Sequence, residues 1–286
     1  MISHQAQIPA AIEPREQQPF YIPVTGSLTR PRRTLKHGDT FAVFDSHGDI
    51  GISGGEPDGI FDKDTRYLSR LELLLNGMQP LLLGSNLRDD NAVLTVDLTN
   101  PDICFENRLV VQKDTVHITR SIFLWRGSAY QRLGIDSHGD RPLRMTLSLS
   151  FGTDFADVFE VRGMRRARRG TSDVKVETAK VTLDYAGLDG VTRRTSMSFD
   201  PAPNQLDRGI ATYALDLPPG KRLSIFLTVE CDAGIAPAPK PFLRGMHAAF
   251  RERKVAAQGA TTVRTSNGLF NRILCRSTAD LSMLTT

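Results

Sequence analysis

Two short stretches concentrate the side chains that could do chemistry. In Gly59-Ile60-Phe61-Asp62-Lys63-Asp64-Thr65-Arg66-Tyr67-Leu68-Ser69, the groups Asp62, Asp64 and Arg66 fall on one parity of an extended segment. A guanidinium fork can hold carboxylates through paired hydrogen bonds, so these three side chains predict a pre-organised charge network anchored by Phe61, Tyr67 and Leu68. In Asp154-Phe155-Ala156-Asp157-Val158-Phe159-Glu160-Val161-Arg162-Gly163, the residues Phe155, Val158 and Phe159 fit a short helical or irregular turn packed on a core. Asp154, Asp157, Glu160 and Arg162 are left around it. A structural tie is favoured for the first set, and a solvated or domain-interface role for Asp154 and Asp157, over direct contact with a substrate.

Other candidate sites are weaker. Arg162, Arg165, Arg166, Arg168 and Arg169 form the strongest charge run. No aromatic interleaves it and no nucleic-acid motif accompanies it, so it reads as a solvated loop and no nucleic-acid partner is expected. The pentapeptide Asp-Ser-His-Gly-Asp occurs at 45–49 and again at 136–140. It reads as two similar hairpin turns rather than as a metal site built from His47, Asp49, His138 and Asp140. The six histidines show no HxxxH or HExxH spacing, and no P-loop, Rossmann glycine pattern or GxSxG elbow is present, so neither metal nor cofactor is expected. Trp125 follows Ile122, Phe123 and Leu124, which favours a core or interface position over a sugar-stacking platform.

The elements that must position these residues are mostly strands. Leu143, Met145, Leu147, Leu149 and Phe151 alternate with polar residues, as do Leu223, Ile225, Leu227 and Val229, with Phe226 the one apolar residue on the opposite face. Val116, Ile118, Ile122 and Leu124 share one parity, and so do Val181, Leu183 and Tyr185. Such alternation buries one face of a strand and wets the other. Asp58-Gly59, Asn76-Gly77, Asp189-Gly190 and Pro219-Gly220 read as the tight turns between them. The fold class expected is mainly β, a large antiparallel β-sandwich with C-terminal linker helices.

The expected organisation is a flexible, proline-bearing tail over 1–36, the sandwich over 37–232, a linker with a helix over 233–264, and a further helix over 265–286. Phe242, Met246, Ala249 and Phe250 recur at helical spacing. The last helix can be N-capped by Ser266 or Asn267, and its apolar face would be Leu269, Phe270, Ile273, Leu274, Leu281 and Leu284. An amphipathic helix needs a partner surface. Of 286 residues, 36 are basic and 32 acidic, a mild excess that names no partner. Cys104, Cys231 and Cys275 are far apart and form no CxxC pair, which fits reduced thiols and a cytoplasmic setting. There is no secretory h-region and no apolar run of membrane-spanning length, so no membrane association is expected.

Taken in order, several motifs resemble the N-terminal domain of prokaryotic glycogen-debranching-like enzymes, the amylo-α-1,6-glucosidase family. They are Phe41-Ala42-Val43-Phe44-Asp45 with Gly48-Asp49-Ile50, the two stretches above, Tyr185-Ala186-Gly187-Leu188-Asp189-Gly190 followed by Arg193-Arg194-Thr195, and Phe199-Asp200-Pro201-Ala202-Pro203. The resemblance covers roughly residues 40 to 232. The segment from Phe270-Asn271 through Arg276-Ser277 to Asp280-Leu281 looks like the first helix of the family's catalytic domain, a toroid of helical hairpins. The resemblance implies a β-sandwich leaning on that C-terminal (α/α) domain, with an α-glucan as substrate of the whole enzyme. The carboxyl pair that hydrolysis needs lies in the toroid, so no catalytic residue is assigned here. Asp62, Asp64, Arg66, Asp154 and Asp157 remain the candidates for substrate or domain-interface contact. The alternative is a free-standing sandwich that binds glucan or another protein.

Overall fold

The structure is a computed structural model that describes residues 31–51, 57–106, 108–232, 241–256 and 263–284. Its largest sheet has eight strands in the spatial order β13 (Thr171–Val176), β14 (Lys180–Ala186), β15 (Thr192–Asp200), β18 (Arg222–Cys231), β11 (Ser128–Ser137), β10 (Val116–Trp125), β7 (Leu94–Thr99) and β6 (Leu81–Leu87). A four-stranded sheet runs β16 (Gln205–Leu206), β17 (Ile210–Leu217), β12 (Leu143–Gly152), β5 (Arg70–Leu75). Another runs β1 (Arg33–His37), β2 (Thr40–Phe44), β3 (Gly59–Asp62), β4 (Thr65–Leu68), and β8 (Ile103–Phe105) pairs with β9 (Arg108–Val111). Three helices complete it: α1 (Val158–Val161), α2 (Phe242–Ala256) and α3 (Gly268–Leu284). All the strand pairings are antiparallel.

The period-two pattern dictates what lies between the sheets. Leu147, Leu149 and Phe151 of β12 meet Ile225, Leu227 and Val229 of β18 in one continuous core that also takes in Leu35, Phe44, Ile60, Leu68, Ile118 and Met197. Each such side chain contributes about 1.5–3 kcal/mol by leaving water. Phe226, on the other face of β18, is not stray. It packs on Phe242 of α2 with ring centroids 5.6 Å apart. The first strand starts at Arg33 and so uses the last residues of the stretch expected as tail; residues 1–30 and part of the expected linker, 233–240 and 257–262, lie outside the described residues.

Three of the four expected turn glycines, Gly77, Gly190 and Gly220, have positive φ. Gly59 does not fit that expectation. It opens β3, and its need for a bare Cα is steric: a Cβ there would lie 2.5 Å from Arg66 Cδ and 2.9 Å from the Leu68 carbonyl oxygen.

The apolar parity of β10 contains a charge. Arg120 stands between Ile118 and Ile122 and is wholly buried, as is Asp49, to which its Nη1 donates at 2.5 Å. The same nitrogen donates to the His47 carbonyl at 3.0 Å, and Asp49 Oδ1 also accepts from the Leu73 amide at 3.1 Å. Asp45 shapes the turn by accepting from the amides of His47 and Asp49 at 2.8 and 2.9 Å. Gly48, with φ 76°, lies against the Arg120 stem, where a Cβ would come within 3.2 Å of Cδ. Burial pushes the Asp49 carboxyl up to about 6, with Arg120 opposing the rise. The second copy of the pentapeptide behaves otherwise. Asp136 lies on the outer face near the end of β11 and takes Arg222 in a two-pronged pair at 2.5 and 3.0 Å. The hydrogen bond from Arg222 holds its carboxyl below the usual range against a smaller effect of burial. The two turns do not combine, and among the described residues no cluster of His, Cys, Asp and Glu could hold a metal ion.

Candidate functional site

The β3–β4 hairpin turns through Lys63 and Asp64, with Lys63 at φ 51° and Asp62 opposite Thr65. That tight turn and a register shift at Ile60/Phe61 break the simple parity on which Asp62, Asp64 and Arg66 would share a face. Arg66 therefore does not bind either neighbour. Its Nε donates to Asp154 Oδ1 at 3.1 Å, its Nη2 to Asp154 Oδ2, and its Nη1 to the Asp58 carbonyl at 3.1 Å. The pair is mostly buried, with side-chain exposures of 14% and 26%. Asp62 accepts instead from Thr40 Oγ1 at 2.6 Å, and Asp64 contributes its carbonyl to the Val158 amide at 3.1 Å. The charge network exists, but its carboxylate comes from 88 residues along the chain.

Asp154 and Asp157 sit on either side of Phe155, which has φ 47° and is buried. Its ring stacks on Tyr185 at 5.4 Å and meets Tyr67 edge-on at 5.8 Å. Asp157 then N-caps α1: Oδ1 accepts from the amides of Phe159 and Glu160 at 2.9 and 2.8 Å, and Glu160 Oε2 accepts from the Asp157 amide at 3.1 Å. This reciprocal capping box satisfies helix-end donors. Two of the five loop arginines fold back on it. Arg166 pairs with Asp157 and with Glu160, the latter at 3.4 Å, while Arg169 reaches Glu160 at 3.3 Å and the Asp154 carbonyl at 2.9 Å. Burial acts to raise the Asp157 pKa, but the two cap amides and Arg166 outweigh it, and the carboxyl lies below its ordinary value. Both aspartates thus serve as acceptors in a tie between the hairpin, α1 and the arginine loop.

A second tie, with no signal in local sequence, fastens the hairpin to the end of β18. Tyr67 Oη donates to Asp232, and burial together with that carboxylate pushes the phenol far above its usual pKa. Asp232 also accepts from the Arg194 amide at 3.1 Å, and Thr195 Oγ1 donates to the Tyr67 carbonyl at 2.7 Å. The point where β18 ends is therefore held to the same hairpin that carries Arg66.

The C-terminal helices differ in how they are partnered. α2 lies on Phe123 and Tyr130, which stack at 4.7 Å, and Gly245 lets it come close: a Cβ there would stand 3.4 Å from both rings. Trp125, only 5% exposed, donates from Nε1 to Glu252 at 2.9 Å, so it is an interface residue and not a sugar platform. Arg88 stacks over Phe250 at 4.6 Å and Arg253 donates to the Asp90 carbonyl at 2.9 Å. α3 begins as the sequence predicts, with Asn267 Oδ1 accepting from the amides of Leu269 and Phe270 at 2.9 and 3.1 Å. Asn91 Nδ2 holds it by donating to Asp280 Oδ1 at 2.6 Å, and Arg276 pairs with the same aspartate. Much of its apolar face is open to solvent: Leu269 is 60%, Phe270 46% and Ile273 53% exposed, while Leu274 is half-buried. The side chain of Leu284 lies outside the described residues. No helix is long and apolar enough to cross a membrane among the described residues.

The family described as the N-terminal domain of (some) glycogen debranching enzymes matches residues 35–228. None of the curated proteins matches the chain. Among solved structures, a putative kojibiose phosphorylase from the human microbiome is 13% identical, with a TM-score of 0.47, covering 86% of this chain and 35% of its own. A 4-α-glucanotransferase from Thermococcus litoralis is 9% identical, with a TM-score of 0.41 and coverages of 71% and 37%. A putative aldose 1-epimerase from Escherichia coli K12 is 7% identical, with a TM-score of 0.40 and coverages of 70% and 98%. The chain thus spans about a third of the phosphorylase, and these likenesses concern the fold alone.

Proposed function

We propose, from the premise that this chain belongs to the family of N-terminal domains of glycogen debranching enzymes, that it is the non-catalytic front domain of an amylo-α-1,6-glucosidase-like glycoside hydrolase. The whole enzyme would act in the cytoplasm on glycogen or a related α-glucan. In this reading the sandwich supports a C-terminal (α/α) catalytic domain, which supplies the acid that protonates the leaving oxygen and the base that activates water.

The observation that carries the reading is the face of α3. Three large apolar side chains at helical spacing, Leu269, Phe270 and Ile273, stand about half exposed or more, on a helix that Asn91 ties to the sandwich through Asp280. Amphipathic helices of this length draw most of their stability from a surface that covers the apolar side. The carboxylates of the candidate site agree with a supporting role. Asp154 and Asp157 are each engaged by arginine, which suits holding the hairpin and not proton transfer to a sugar oxygen. The three cysteines are unpaired thiols, consistent with a reducing compartment.

Glucose release from glycogen limit dextrin tests this directly. The chain alone is expected to show no turnover, and robust turnover by it would overturn the reading. Leu269→Gln combined with Ile273→Gln is expected to weaken docking of the separately produced helical domain by at least about tenfold, since burial of each side chain is worth about 1.5–3 kcal/mol. The urea midpoint of the sandwich should stay where it is.

A further inference from the structure

The turn between β6 and β7 meets both C-terminal helices, and the two are held by different physics. α2 is fastened by packing. Its Ala249 is buried with Phe123, Trp125 and Tyr130, its Phe250 lies under the Arg88 guanidinium at 4.6 Å, and its Arg253 Nη1 donates to the Asp90 carbonyl at 2.9 Å. α3 has no such seat. From Gly268 to Leu281 none of its residues is buried, and among the described residues none of its side chains belongs to a core cluster. A helix of 17 residues is marginal in water without a surface to lean on. A polar tie therefore carries much of what keeps α3 on the sandwich.

The turn is built to hold that tie still. The Arg88 amide donates to the Val93 carbonyl at 3.0 Å, the Asn91 amide to the Arg88 carbonyl at 2.8 Å, and the Ala92 amide to Asp90 Oδ1 at 3.0 Å. Asn91 stands at φ 54°, in the left-handed region that asparagine tolerates better than most residues, and is only 1% exposed. From this fixed backbone its Nδ2 donates to Asp280 Oδ1 at 2.6 Å. A carboxylate only accepts, so the donor end of the amide must face it. Arg276, one helical turn back, sets the Asp280 carboxylate at 3.2 Å.

The two ends of the bond differ. Asn91 is sealed, whereas the Asp280 side chain is 46% exposed and can exchange its partner for water. Parting them moves no residue of the core. We propose that α3 is a strap latched by the Asn91 side-chain amide, and that it opens and closes as a unit while the sandwich and α2 stay folded. The latch stands whatever the chain does. Its consequence for docking rests on the function proposed above: the latch then sets the direction in which Leu269, Phe270 and Ile273 meet the catalytic domain.

Hydrogen exchange of the whole chain, followed by mass spectrometry, tests this, because amides of a helix that frays on release exchange in proportion to its open fraction. Asn91→Gly keeps the positive φ and removes the donor; Asp280→Ala removes the acceptor with a residue that favours helix. A hydrogen bond to a charged group shifts such an equilibrium by about tenfold or more. Each variant should speed exchange in α3 by about that factor and leave α2 and β7 as in wild type. The double variant should be no faster than the faster single one, since both remove the same bond. Arg276→Ala strips Asp280 of its partner within the helix and keeps the latch, so it should change α3 by no more than about twofold. Exchange in α3 that Asn91→Gly leaves at the wild-type rate, accelerations that multiply in the double variant, or a loss spread evenly over α2 and β7 overturns the proposal. Its fate is separable from that of the catalytic reading. A latched α3 on a chain that fails to dock a helical domain would keep the strap and remove the function, and a docked, active pair whose α3 ignores both substitutions would do the reverse.

Discussion

The two Asp-Ser-His-Gly-Asp segments are the same five residues in opposite physical settings. In 45–49 the last aspartate points inward and meets Arg120 with neither side chain reached by water. In 136–140 the first aspartate points outward and meets an Arg222 whose side chain is 69% exposed. The pentapeptide fixes only a turn. Which aspartate matters, and how strongly, is set by the strand opposite: β10 brings an arginine on its apolar parity to the first, and β18 brings one on its wet face to the second. Identical sequence is thus no guide to identical energetics when the partner is 71 or 86 residues away.

The comparison can be broken most forcefully at Asp49. Arg120 cannot shed its proton, so Asp49→Ala leaves a cation sealed in the core and should cost about 3–5 kcal/mol at pH 7, read as a lower urea midpoint. A loss no greater than that of a surface substitution would sink the idea that the pair is a buried tie. Next comes pH. The folded-state pKa of Asp49 is raised, to about 6 from 3.8, so the folded protein holds that proton more tightly than the unfolded chain. Its contribution is full below pH 4 and is lost as pH rises through 6. The stability advantage of wild type over Asp49→Ala should therefore narrow between pH 4 and 7. Asp136, with its pKa lowered, has the opposite sign: its contribution is present above the ordinary carboxylate range and fades as pH falls. Urea titrations at several pH values that moved both differences the same way would refute the contrast. The smallest effect is expected from Asp136→Ala itself. Exposed ion pairs contribute little, and its midpoint at pH 7 should fall only slightly, by an amount that shrinks as pH falls.

The same contrast explains what could be read in advance. Regular alternation on β12 and β18 announced the strands and their buried face, and Asn267 announced the start of α3, because both signals are local. Arg120 passed unnoticed because a charge on an apolar parity looks like an interruption until Asp49 is seen beside it. The parity of Asp62, Asp64 and Arg66 predicts a network among the three, but a two-residue turn separates them and Asp154 takes the arginine. Asp58-Gly59 read as a turn because glycine has two uses, backbone freedom and empty space, and only the position of Arg66 tells them apart.

Phe226 sits on a strand whose other side is already committed to the main core, and its ring packs on Phe242 of α2, beside the aromatic patch of Phe123, Trp125 and Tyr130. A shortened protein ending at Cys231 would keep every strand but strip the cover from Phe123, Trp125, Tyr130 and Phe226. Those rings would then lie open on a flat sheet, an invitation to self-association.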